Sequence, residues 1–359
     1  RALSEEKREL QKMVMDFFVK QRVDPFSPKQ LGELLTKRYN LDLPKTEKGN
    51  VSTDDKALSE YADHPVVSQI LSIRSKKKTI EKLEELKEHI KDRRVYPEFK
   101  QIGAITGRMA SLNPNVQNIP KHLRRIFKAE EGNLFVIADF SQIELRIASE
   151  YVKEERMIRA FKEGKDLHRY TASLFLGKPE EEITKEERQL AKAVNFGLIY
   201  GISEKGLVEY ARTYGIDLSL ETARSIRSAF FEYYRGFKEW HERVKRELKE
   251  KKQSSGYTLL GREYTAHTFP DAVNYPIQGT GADLLKLSVL MFSAELRHKN
   301  MHAKLVNLVH DEIVVECKEE EAEEVAKLLE KAMKHAGKII LKEVPVEVEV
   351  AIKERWEKD

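Results

Sequence analysis

The sequence predicts an α+β chain in which strands from both sides of a long helical insertion meet in one antiparallel sheet. Apolar runs at residues 134–138, 305–309 and 313–317 have strand length and β-branched content, and residues 344–352 alternate with period two. Between the first run and the others, residues 151–251 keep helical spacing. No internal repeat is evident.

Bulk properties agree with a globular chain. Its 359 residues are enough for two or three subdomains with real cores, and 40% are hydrophobic. A formal charge of +4 permits a polyanionic partner without demanding one. The single cysteine, Cys317, excludes a disulfide framework and a CxxC zinc site, and its apolar strand predicts a packed thiol. Neither a signal peptide nor a span of about 18 apolar residues is present, so a soluble, intracellular (cytoplasmic) protein with no membrane partner is expected. Charged residues make up 35%, a composition that resembles heat-adapted proteins more than an ordinary charge-rich helical one, so a thermostable protein is expected.

Taken in order, helices are predicted over residues 4–20 and 28–39, with Ser27-Pro28 as cap and first turn. Residues 44–53 are polar and read as an exposed loop. A helix follows over residues 64–90; its Arg74-Ser75-Lys76-Lys77-Lys78 cluster reads first as a solvated face. The chain is irregular from Pro97 to Pro120. After the first strand, Ser141 and Glu144 fit a capping box that opens a helix. Thr184 and Glu187 fit another. Residues 269–280 read as a loop, then residues 282–298 and 319–338 as helices.

Two strand ends carry acids. Asp139 follows the first run, and His310-Asp311-Glu312 sits at the tip of a tight hairpin between the next two. An aspartate there commonly forms a turn or caps a helix. Two together can also hold a pair of divalent ions roughly 3.5–4 Å apart for in-line phosphoryl transfer. The Thr184 helix adds a second clue: Arg188, Lys192, Phe196 and Tyr200 recur every fourth residue, about 40° apart around the axis. Cations followed by aromatics on one stripe suit a nucleoside triphosphate, and equally an amphipathic helix with a buried aromatic end. No GxxxxGK[ST] loop occurs.

Asp139 to Arg146, Arg188 to Gly201 and His310-Asp311-Glu312 resemble motifs A, B and C of the family A DNA polymerases, the bacterial DNA polymerase I group. Thr106-Gly107-Arg108, residues 113–120, Asp166-Leu167-His168 and residues 274–280 match in the same order, so the resemblance covers essentially the whole chain. It implies a right-hand polymerase fold with an antiparallel palm sheet, helical fingers and a partial helical thumb. The divisions implied are thumb 1–92, first palm part 93–164, fingers 165–282 and second palm part 283–359.

The same resemblance implies template-directed addition of dNTPs to a primer 3′-hydroxyl. Asp139 and Asp311 would hold two Mg²⁺ ions, for which Mn²⁺ can substitute, with Glu312 as a supporting acid. Arg188, Lys192 and His168 would meet the triphosphate, Lys192 also as proton donor to pyrophosphate. Phe196 would pack on the sugar, which implies discrimination against dideoxynucleotides, and Tyr200 would lie near the templating base. Glu144, together with Tyr200, would exclude a 2′-hydroxyl, with Gln142 as a further nucleotide contact. Where the family often has a second arginine, Gln189 stands here, which puts one contact in doubt. Arg108, Asn115, Gln117, Asn118, Asn274, Gln278 and His310 would meet primer-template DNA near the primer end. Lys45, Lys48, Arg74 and Lys78 would meet phosphates, while the solvated-face reading holds for Lys76 and Lys77. A monomer is expected, with no proofreading acids in this chain and an exonuclease domain upstream or as a separate fragment. The rival readings are a polymerase acting mainly on RNA templates and a catalytically degenerate nucleic-acid-binding protein.

Overall fold

The structure, a computed structural model, describes residues 2–357. Two compact units emerge, one comprising Arg1–Glu98 with Leu112–Leu123, the other Phe99–Ser111 with Arg124–Asp359.

In the first unit, helices α1 (Ala2–Gln21) and α2 (Pro65–Glu88) pack around Phe17, Leu31, Leu35, Leu58, Val67 and Ile70. The Ser27-Pro28 signal is realised: Pro28 opens Pro28–Glu33, and the Ser27 hydroxyl accepts from Gln30 N at 3.4 Å. That helix then widens into a π turn over Leu34–Arg38. Lys76 is not simply solvated, for its ammonium ties α2 to Glu6 and Glu9 of α1, both at 2.7 Å. Arg74 and Lys78 both engage Asp55, at 3.0 and 2.6 Å, whereas Lys45 and Lys48 are exposed on their loop.

The second unit is organised by four antiparallel strands: β1 (Asn133–Phe140), β2 (Ala303–Val309), β3 (Glu312–Lys318) and β4 (Val348–Lys353). Their order is β4-β1-β3-β2, so strands from distant parts of the chain flank β1 on both sides. Val136, Ala138 and Phe140 alternate into the main core with Ile313, Val315 and Cys317 from β3. Burial raises the Cys317 thiol to about 11, as a packed thiol requires. Helix α7 (Ala322–Ile340) packs on this sheet through Val325, Leu329, Met333 and Ile340. Its start, Ala322, follows a 3₁₀ turn over Glu319–Glu321, so the expected helix at 319 begins one turn later.

The structure departs from the sequence expectations in three places. The loop expected over residues 269–280 is instead the first part of a continuous helix, α6 (Phe269–His298), which carries Pro276 inside it. A proline ring normally breaks the ladder, but here packing of Ala272, Val273 and Ile277 into the core holds the helix together. The Thr280 hydroxyl also donates to the Pro276 carbonyl at 2.7 Å. Second, the stretch between the helical region ending at 251 and the loop expected from 269, for which the sequence predicts no element, forms a hairpin of Ser254–Tyr257 and Glu263–Ala266. Third, Ser141 and Glu144 form no capping box. Helix α3 (Ile143–Val152) starts from Gln142 in the left-handed region, φ 51°, with no side-chain cap. The Glu144 carboxylate is committed elsewhere.

Candidate active site

Asp139 lies at the penultimate position of β1, facing the surface between buried Ala138 and Phe140. The hairpin between β2 and β3 closes on His310 and Asp311 alone, because Val309 pairs directly with Glu312. His310 takes the left-handed conformation, φ 55°, that such a tight reversal needs. Since Glu312 pairs with Asp139 across the sheet, Asp311 is carried to the same end as Asp139. Both aspartates line one cavity of about 410 Å³.

Arg188, Lys192 and Phe196 enter that cavity from helix α5 (Lys185–Ile199), and His168 from α4 (Leu167–Leu176). The Thr184–Glu187 capping box is realised, with the Thr184 hydroxyl accepting from Glu187 N at 3.2 Å and Glu187 accepting from Thr184 N at 2.9 Å. Asp166, quoted above only as part of a motif, caps α4 through Arg169 N at 3.0 Å. Its Oδ2 also receives Arg188 Nε at 3.0 Å and Nη2 at 2.8 Å, which fixes the guanidinium at the cavity wall. Burial pushes the Asp166 carboxyl up, but the Arg188 and Arg169 hydrogen bonds outweigh it and hold the group below the usual range. Burial pushes His168 down to about 4; the Asp166 charge opposes this, while those of Arg188 and Lys192 add to it.

At another wall Glu144 is held from two sides. Tyr200 Oη donates to its Oε2 at 2.8 Å and Arg108 Nη2 donates to its Oε1 at 2.8 Å. Burial, then the Glu144 charge, raises the Tyr200 pKa, so the phenol stays a donor. Arg108 is itself positioned by its loop. Arg262 Nη2 donates to the Thr106 carbonyl at 2.6 Å and the Gly279 carbonyl at 3.1 Å, while Nε donates to Asp283 at 2.9 Å. Lys286 adds a bond to the Gly107 carbonyl at 2.7 Å. Gly107 and Gly279 leave room for this arginine, since a Cβ at either would lie within 2.9 Å of its side chain.

Of the other candidates, Gln142, Gln278, His310 and Arg108 line the same cavity. Asn274 is one α6 turn from Gln278, and its Oδ1 is buried without a hydrogen-bond partner. Asn115, Gln117 and Asn118 belong to the first unit, where Asn115 Oδ1 accepts from the amides of Gln117 at 3.0 Å and Asn118 at 3.2 Å. Glu312 turns away from the cavity lining: it is 3% exposed and its Oε1 accepts from Trp356 Nε1 at 2.7 Å. Glu349, which sequence reasoning passed over, pairs with Asp139 across β4 and lines the cavity. Its period-two strand was visible, but the register that brings it beside Asp139 was not.

Among the described residues no group of three or more His, Cys, Asp or Glu side chains is gathered to hold a metal. Two carboxylates facing a cavity with cations on its far wall still fit a hard divalent ion. Mg²⁺ is commonly held by one or two carboxylates completed by substrate phosphates and water. Phosphates against Arg188 and Lys192, with a sugar ring against Phe196, match what this cavity offers.

A strand-end acid pair facing a cation-and-aromatic helix, on this α+β frame, defines the class: the chain belongs to DNA polymerase family A, whose model matches residues 1–358. It is 69% identical over 353 residues to DNA polymerase I of Aquifex aeolicus (strain VF5), covering 98% of this chain and 62% of that protein. The thermostable DNA polymerase I of Thermus aquaticus is 36% identical over 341 residues, covering 87% of this chain and 39% of the relative. Among solved structures, the POL domain of Pol1 from M. smegmatis, in complex with DNA primer-template and dNTP, superposes with a TM-score of 0.86 at 29% identity. That match covers 99% of this chain and 65% of the other. The fold is therefore that of a family A polymerase domain. The chain spans less than two thirds of the length of each of these relatives.

Proposed function

We propose that this chain is a DNA-directed DNA polymerase that adds dNTPs to the 3′-hydroxyl of a primer annealed to template DNA. The observation that carries the reading is the convergence of Asp139 and Asp311 with Arg188, Lys192, His168 and Phe196 around one cavity. Glu144 stands at its rim, pinned by Tyr200 and Arg108.

In this reading Asp139 and Asp311 would hold two Mg²⁺ ions. Held there, such ions would supply Lewis-acid activation of the primer hydroxyl and charge neutralisation at the transferred phosphate. Arg188 and Lys192 orient the triphosphate, and Lys192 delivers a proton to the departing pyrophosphate. Phe196 packs on the deoxyribose, and Glu144 fills the space a 2′-hydroxyl needs. Arg108, Gln278 and His310 meet the primer end, where minor-groove acceptors common to every correct pair test geometry without reading sequence. Residues 1–92 act as thumb, 93–164 and 283–359 as palm, and 165–282 as fingers.

The experiment is extension of one labelled DNA primer on matched DNA and RNA templates, with dNTPs or NTPs and Mg²⁺. Extension with dNTPs on DNA is expected. Preference for the RNA template would replace the reading with reverse transcription, and binding without extension would mark a degenerate site.

A further inference from the structure

Asn195 leaves α5 three residues after Lys192 and immediately before Phe196, yet its side chain turns into the protein and is fully buried. Its Nδ2 lies 3.1 Å from Nδ1 of His168, which is itself 2% exposed. Its Oδ1 is buried and has no hydrogen-bond partner. This asymmetry distinguishes the two ways the amide can sit. With Nδ2 toward the ring, a donor is used and the group left over is a carbonyl-type oxygen. Turned over, the amide would bury its N–H donors in the oxygen's place, and orphaned buried N–H groups are the rarer condition.

A donor aimed at Nδ1 requires that nitrogen to carry the lone pair. The proton of the neutral ring then sits on Nε2. We propose that Asn195 is a positioning residue that fixes His168 as its Nε2–H tautomer, so that the ring presents a neutral donor to the cavity it shares with Arg188 and Lys192. This rests on the proposed role of His168 at the triphosphate. A neutral N–H adds a directed hydrogen bond to a phosphate oxygen without a third positive charge beside two existing ones. Burial, aided by those two charges against the opposing charge of Asp166, keeps the ring unprotonated near neutrality. The Phe196 ring packs beside it, the two ring centroids 5.9 Å apart.

The first test uses the unsubstituted chain, labelled with ¹⁵N-histidine, without ligand, in long-range ¹H–¹⁵N spectra at pH 7.5. The expected pattern for His168, assigned by its loss in H168A, is a bare Nδ1 and a protonated Nε2. A protonated Nδ1 overturns the proposal, whatever any variant does. The second test is kinetic. In N195D the carboxylate accepts where the amide donated and draws the proton to Nδ1, so the KM for dNTP should rise about tenfold with a smaller change in kcat. In an H168A background the same substitution should change KM less than twofold. Equal effects of N195D in both backgrounds would show that Asn195 acts through something other than His168. An unchanged KM in H168A alone would instead overturn the phosphate role of His168, a separate failure from that of the tautomer.

Discussion

Tyr200 donates its hydroxyl to Glu144 Oε2 at 2.8 Å, and so locks in place the carboxylate that borders the cavity shared by Asp139 and Asp311. Arg108 takes the other oxygen at 2.8 Å, so Glu144 cannot swing aside without stranding a partner. E144A should lower the dNTP-to-NTP ratio of kcat/KM by about 100-fold, the scale on which one excluded group is discriminated. Y200F should lower it less, because Arg108 still holds the carboxylate. Competition assays with dCTP and CTP measure both, and an unchanged ratio in E144A removes the gate.

The Asp166–Arg188 pair should matter for substrate rather than for chemistry. Asp166 fixes a guanidinium that would otherwise search several rotamers. D166N should raise the KM for dNTP about tenfold, near the 1.5–3 kcal/mol of hydrogen bonds to charged groups. Single-nucleotide insertion kinetics test this; a fall in kcat at constant KM would contradict it.

Two buried histidines give a pH signature. Burial lowers both His168 and His241 from 6.5 to about 4, and His241 Nε2 lies 2.9 Å from the Ile199 carbonyl oxygen. Between pH 6.5 and 4 the unfolded chain binds more protons than the folded one, so stability rises with pH. Their contribution is complete above pH 6.5 and is lost as pH falls toward 4. Each histidine adds at most about 1.4 kcal/mol per pH unit. Urea unfolding between pH 6.5 and 5, above the carboxylate range, should therefore show falling midpoints, and H241Q should flatten the slope. Constant midpoints would exclude this linkage.

Asp283 anchors Arg262, and through it the loop that carries Arg108. It is 8% exposed, and its Oδ2 accepts from the Thr258 hydroxyl at 2.7 Å. D283A strands the guanidinium and should cost about 2–3 kcal/mol, below the range for a fully buried pair because Arg262 keeps some solvent contact. Denaturant unfolding reads the loss, and D283A as stable as the parent would rule out this anchoring.

Composition and ion pairing predict heat resistance. Lys153 reaches Glu150 and Glu343, and Lys162 joins the same Glu343, as in the networks that gain value at high temperature. The apparent melting midpoint should exceed about 65 °C, the upper edge of the mesophile range. Scanning calorimetry decides this.

Local signals were the legible ones. The Thr184 capping box, the Ser27-Pro28 helix start and the His310-Asp311 hairpin tip each depend on neighbours in sequence, and each forms. Long-range partners were not legible. Local pattern made Glu144 a capping residue because Ser141 stood three positions before it; only the family resemblance placed it with Tyr200, 56 residues away, which its carboxylate does meet. Residues 269–280 read as a loop, since nothing local reveals the core packing that carries α6 through Pro276. Arg74 and Lys78 read as solvated or phosphate-facing because the Asp55 they share comes from another element. Asp166 and Glu349 needed tertiary geometry to gain a role.

The central claim is that Asp139 and Asp311 carry the chemistry. Its most direct test is single-turnover insertion of one dNTP by D139N and D311N, with DNA affinity measured in parallel. The account predicts rates at least about 10³-fold below the parent, the order expected when a metal-binding charge is lost, with binding of primer-template within a few-fold of it. Either variant inserting within tenfold of the parent rate would contradict it.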